Sequence, residues 1–266
     1  MALLSTCLAS TGMAQTGASS GSSASGQAGA AGAAAAPKVS KEEEKDYKAF
    51  YDSRAGDPAH LITLGETFIM KYPMSAYLFA VYSTLTGAYL QTGQTPKMMD
   101  AGSKALFLNP DDIDVLPLMG WAIARQVTGK TPDAAGQLAK AAGYAHHALD
   151  LIATMPKPAG MDDAGFAKAK NQKLSLCHSA IGTVDIKTGK YDDAVTELNM
   201  AVMLATTPDQ VDFYLLGLAD EQTSHFSDAQ AAFAKCAVNG SSLQGACKSG
   251  ADDAKSKAKN SLEAPK

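Results

Sequence analysis

Residues 191–202 read YDDAVTELNMAV, and this stretch decides the fold. Tyr191, Ala194, Leu198 and Ala201 recur at three- and four-residue steps, so they share one helix face. Asp192 and Asp193 sit at its start, where negative charge complements the helix dipole. Just upstream, Gly189 marks a turn, and Ile181-Gly182 belong to the preceding helix. Small residues at Gly182, Ala194 and Ala201 let two helices approach closely, while Tyr191 and Leu198 fill the gaps between them.

The same size code recurs downstream in Leu216-Gly217, Phe226, Ala229, Phe233 and Cys236. Ile181 to Leu216 is 35 residues, and so is Ala194 to Ala229. An earlier copy runs through Tyr82, Leu85, Ala88, Tyr89, Gly93, Met98, Ala105, Leu106, Asn109 and Pro110. Leu85 to Met119 is 34 residues, and Met119-Gly120 opens another copy. No strand-like alternation persists anywhere.

A period near 34 with this small/large code resembles the tetratricopeptide repeat family over roughly Glu42 to Cys247. That family places Trp-x2-Leu-Gly-x2-Tyr on its first helix. Here Tyr82, Leu116, His178 and Phe213 stand at the Trp position. Tyr89, Ile123, Asp185 and Asp220 stand at the Tyr position, so the last two units depart from the pattern. The resemblance implies an all-α solenoid of about five helix-turn-helix units over 41–262, with a C-terminal capping helix.

The expected repeats are about 42–73, 76–110, 113–156, 161–208 and 210–241, with the cap at 242–261. In the degenerate first unit, Tyr47, Phe50 and Tyr51 precede a turn at Gly56-Asp57-Pro58. Leu61, Leu64, Gly65, Phe68 and Ile69 then lead to Lys71-Tyr72-Pro73, a phrase that resembles repeats of bacterial envelope assembly proteins. The period breaks between Met119 and Ile181, which lie 62 residues apart. The extra length predicts an enlarged central pair: a long second helix over Pro132 to Met155, a loop at 155–160, and a long first helix from Met161 to about Lys187.

The ends read differently. Met1 to Ala14, MALLSTCLASTGMA, is a partial signal peptide without its basic region; an apolar N-terminus with no targeting role is the alternative. Leu4-Ser5-Thr6-Cys7 weakly resembles a lipobox, which leaves a weak lipid anchor at Cys7 open. Residues 15–40 read as a disordered tether: Thr16 to Ala36 contains 9 Ala, 5 Gly and 5 Ser among 21 residues, too little apolar bulk to offset backbone entropy. A tether behind a signal fits a periplasmic or secreted, envelope-associated protein.

Composition narrows function. The 266 residues carry a formal net charge of −4, with 46% apolar and 19% charged residues. Nucleic-acid binding through a basic excess is excluded on this balance. No apolar run approaches the roughly 18 residues of a spanning helix. His60, His146, His147, His178 and His225 have no second ligand at i+4, so no metal or cofactor is expected. Gly129-Lys130-Thr131 mimics the end of a phosphate loop but lacks the first Gly and the strand before it. Asp111-Asp112, Asp162-Asp163 and Asp192-Asp193 fall at helix starts, where capping explains them better than acid–base chemistry. No enzyme is expected.

In tetratricopeptide arrays the first helix of each unit lines a concave groove. By phase, the resemblance places Ser83, Gly87, Gln91, Trp121, Arg125, Thr183, Lys187, Tyr214, Leu218 and Gln222 on that face. It implies a non-catalytic module or scaffold that holds a peptide or partner helix, with Trp121, Arg125, Lys187 and Tyr214 as anchors and Leu218 and Gln222 beside them. Packing of Trp121 on the enlarged central pair is the alternative for that residue. A structural subunit of an envelope complex, packing through its repeat edges, is the alternative for the whole. In the same architecture Cys236 and Cys247 face each other, which allows either a disulfide or two packed thiols; Cys177 is left unpaired.

Overall fold

The computed structural model describes residues 39–263. The leader over 1–14, the Ala/Gly/Ser-rich stretch that follows it and Cys7 lie outside the described residues. Eleven α-helices run in order: α1 (Lys41–Asp52), α2 (Pro58–Lys71), α3 (Leu78–Gln91), α4 (Thr95–Leu108), α5 (Val115–Gln126), α6 (Ala134–Ala153), α7 (Asp163–Thr188), α8 (Tyr191–Leu204), α9 (Gln210–Gln222), α10 (Phe226–Cys236) and α11 (Gln244–Glu263). No strand occurs among the described residues. Consecutive helices pair into five hairpins, each packed on the next, and α11 closes the row against α10. The chain is therefore an all-α solenoid of five helical pairs with an enlarged central pair and a C-terminal cap.

Local chemistry explains the helix starts. Ser40, Asp57, Asp133, Asp162 and Asp209 each accept hydrogen bonds from free backbone N–H groups in the first turn that follows. Asp162 does so from Gly165 at 2.6 Å. The tight hairpin turns share one device. Gly93, Gly189 and Ser224 take positive φ of 71°, 77° and 63°. The next backbone N–H then donates back to the first helix: Gln94 to Tyr89, Lys190 to Asp185 and His225 to Asp220, at 2.7–2.9 Å. Gly supplies this conformation freely, whereas Ser224 adopts it against its own Cβ.

Close approach within hairpins depends on absent side chains. A Cβ on Gly182 would lie 2.6 Å from Leu198 Cγ, and one on Gly217 would lie 2.8 Å from the Phe233 ring. The second pair lies 35 residues after the first in sequence, so the small/large code is one contact used twice. Buried apolar side chains form a continuous core from Phe50 to Val184, with smaller clusters around Leu198 and Phe233.

The central pair departs from the repeat length. Helix α6 has 20 residues and buries Ala141, Ala145, Ala148 and Ile152. Helix α7 has 26 residues; its first half is mostly exposed or half-buried, and burial becomes continuous only from Ser179 to Asp185. First helices contact one another along the row, α3 with α5, α5 with α7 and α7 with α9. The second helices make no comparable contact among the described residues. A row that is tighter on one side bends toward it, so α3, α5, α7 and α9 line the inner face.

Candidate functional site

The inner face opens into a cavity of about 540 Å³. Its walls are Leu90 of α3, Leu118 and Trp121 of α5, and Lys168, Gln172, Ser175, Leu176 and Ser179 of α7. The α8–α9 loop closes one side with Ala205, Thr206 and Thr207, and Asp209 and Asp212 form part of the floor. The size suits a few side chains of a bound chain. The lining mixes apolar surface from Leu90, Leu118, Trp121 and Leu176 with hydroxyl and amide groups.

Trp121 is half-buried at this wall and stacks on Arg125, whose guanidinium carbon lies 4.6 Å from the indole centroid. Arg125 in turn is committed inside the chain. Its Nη1 donates to Asp209 Oδ2 at 2.8 Å and its Nη2 to Asp212 Oδ1 at 2.7 Å. Ser179 Oγ donates to the same Asp212 oxygen at 2.6 Å. Burial pushes the Asp212 carboxyl above the usual carboxylate range, and the Arg125 charge opposes that shift. This cluster ties α5 across α7 to the start of α9.

Lys187 is spent in a related way. Its Nζ donates to the Ala124 carbonyl at 2.7 Å and to the Val127 carbonyl, capping the C-terminus of α5. Burial, and then the Arg125 charge, pull its pKa below the usual lysine range. Tyr214 and Leu218 pack beside Phe233 and Ala254 under α11, with the Tyr214 and Phe233 rings 5.8 Å apart. Gln222 is exposed near the α7–α8 turn, beside Lys190 and Tyr191. Of the six groove residues expected from sequence, the structure thus brings Trp121 to the cavity with Arg125 behind it. Lys187 works as a helix cap, and Tyr214, Leu218 and Gln222 lie elsewhere along α9. The cavity also uses residues that sequence phase did not single out, chiefly Leu118, Gln172, Leu176, Thr206 and Thr207.

Several other polar groups have local partners. His178 is half-buried and its Nδ1 lies 2.7 Å from Glu197 Oε2. His147 Nε2 lies 2.7 Å from Asp111 Oδ1 on the surface. Asp112 Oδ1 accepts from the backbone of Asp114 and Val115 at the start of α5. Cys177 is buried, and desolvation pushes its thiol up to about 12, the opposite of an activated nucleophile. Among the described residues, no group of three or more His, Cys, Asp or Glu is placed to hold a metal ion, and no helix is long and apolar enough to cross a membrane. Cys236 and Cys247 stand side by side with Cα atoms 5.7 Å apart, a separation that a disulfide spans.

A second surface lies on the outer side of the first two hairpins. Met70, Met74 and Phe107 are 77%, 82% and 86% exposed. Phe107 adjoins a shallow apolar groove with Leu78, Tyr82 and Leu108, and Met70 adjoins its continuation between α2 and α4.

No protein-family model matches the sequence, and no curated protein matches it. Solved tetratricopeptide structures do resemble it. A thermophilic TPR protein of Thermus thermophilus is 17% identical over 78% of this chain and 98% of its own, with a TM-score of 0.46. PilW, a widely conserved type IV pilus biogenesis factor, is 14% identical over 74% of this chain and 77% of its own, also at 0.46. A tetratricopeptide repeat protein from Parabacteroides merdae is 12% identical over 81% of this chain and 99% of its own, at 0.39. Repeat length, size code and helix pairing describe the chain itself as an all-α solenoid of helical pairs.

Proposed function

We propose that this chain is a non-catalytic interaction module that holds an extended peptide or a partner helix along its inner face, with the Trp121 cavity as the anchoring pocket. One observation carries the reading: the cavity combines apolar walls from three successive first helices with unspent polar side chains at Gln172, Thr206 and Thr207. The Arg125 cluster beneath it supports rigidity, because its charges are already paired within the chain. Gln172 is exposed, so Gln172→Trp fills the cavity without disturbing the core. It should abolish retention of partners on the immobilised protein while circular dichroism stays unchanged. Equal retention by both forms would remove the cavity from the mechanism.

The outer apolar grooves beside Met70 and Phe107 support a second reading, assembly into a larger envelope complex through repeat edges. Phe107→Asp should then disrupt co-purifying complexes while leaving cavity-dependent partners in place. The leader sequence supports an envelope or secreted location, and the Cys236–Cys247 pair fits an oxidising compartment. Fractionation of the native source tests this placement.

A further inference from the structure

The last helix is attached unlike any other. Along its inward stripe α11 presents Cys247, Gly250, Ala251, Ala254, Lys257 and Ala258, all buried or half-buried. Apart from the Lys257 stem, this stripe carries nothing larger than a cysteine. The bulk comes from below: Phe233, Tyr214 and Leu218 rise from α10 and α9. A Cβ on Gly250 would lie 3.0 Å from the Phe233 ring, so the glycine is what admits that ring. Small stripes bury little apolar area, and two glycines at Gly245 and Gly250 weaken the helix itself. Two ties compensate. Lys257 Nζ donates to Glu221 Oε1 of α9 at 2.6 Å, and Cys247, in the first turn of α11, meets Cys236 at the end of α10.

We propose that α11 is a redox-latched cover. With Cys236 and Cys247 bridged, it seals the terminal face formed by Tyr214, Leu218 and Phe233. With the bridge reduced, it detaches and leaves that face open. Both sulfurs are fully buried, so a dithiol reductant reaches them when the first turn of α11 frays: one thiolate attacks a bridge sulfur to give a mixed disulfide, and the second thiol displaces it. The protein gains two electrons and two protons as two thiols, and the dithiol leaves as a cyclic disulfide. A short bridged loop holds the first turn of α11 in place, so cleavage removes the tie nearest the weak helix start. This inference rests on the Cys236–Cys247 bridge and is independent of the Trp121 cavity, so either reading can fail alone.

Hydrogen–deuterium exchange on the full chain, with and without dithiothreitol, tests it, together with a thiol count. The count should give no accessible thiol from Cys236 or Cys247 before reduction and two after. On reduction, α11 amides should exchange at least tenfold faster, while α9 and α10 amides keep their protection. Trypsin should then cut after Lys248 and Lys255. Cys247→Ser should behave like the reduced protein under both conditions. Unchanged α11 protection after reduction would overturn the proposal, as would two free thiols before it. Equal loss of protection in α9, α10 and α11 would also overturn it, because the bridge would then be a plain structural staple.

Discussion

Single residues show where this solenoid departs from its own repeat. Ser224 holds a left-handed turn position that Gly93 and Gly189 fill elsewhere, at φ 63°. Removing its Cβ should therefore help: Ser224→Gly is expected to stabilise the fold by about 0.5–1 kcal/mol, read as a higher melting temperature. Asp220 is the second case. It is 3% exposed, and burial, followed by repulsion from Asp228, raises its carboxyl to about 6 from 3.8. The folded form thus binds its proton more tightly than the unfolded chain does. The stabilising contribution of that proton is complete below pH 4 and is lost as pH rises through 6. Asp220→Asn should gain about 1 kcal/mol at pH 7.5, allowing for screening, and nothing at pH 4. Chemical denaturation at the two pH values checks the difference. Asp220 and Asp185 were visible in sequence as departures from an aromatic position, yet the cost of burying them follows only from the packing around α9 and α7.

Elements were the most legible level. Helix pairing depends on residue size at fixed spacing, so Gly182 opposite Leu198 and Gly217 opposite Phe233 announce themselves 35 residues apart. Contacts between pairs carry no such local signature. Arg125 finds Asp209 and Asp212 at separations of 84 and 87 residues, and no short-range pattern marks them. Helix phase alone therefore presented Arg125 and Lys187 as free anchors, when both are consumed in holding α5 to α7 and α9. Breaking this tie from one side leaves Asp212 buried without its main partner. Arg125→Met should cost about 3 kcal/mol, and adding Asp212→Leu should recover much of that loss, because two apolar groups suit the site better than one stranded charge. A double-mutant cycle measured by urea unfolding gives the coupling. The sequence placed Tyr214 and Leu218 on the inner face for a related reason. Their cover, α11, is made of alanine, glycine and lysine, so its packing stripe hardly registers as apolar.

At the scale of the molecule, the 35-residue rhythm builds a row whose inner face is lined by first helices, and the enlarged α6–α7 pair deepens that face at one point. The cavity forms there because α7 extends past its neighbours and the α8–α9 loop folds back toward Trp121. The outer patch around Phe107 arises differently: Met98, Ala101, Ala105 and Leu106 of α4 are buried, which turns Phe107 outward. These two surfaces make opposed claims on a partner. The central claim, that partners bind through the inner-face cavity, is tested most directly by site-specific photo-crosslinking in an extract of the native source. A benzophenone side chain at position 168, at the exposed edge of the cavity wall, should give discrete protein adducts that Trp121→Ala diminishes, while the same group at position 107 gives none that compete with them. Adducts at 107 with none at 168 would contradict the claim and assign partner binding to the outer face.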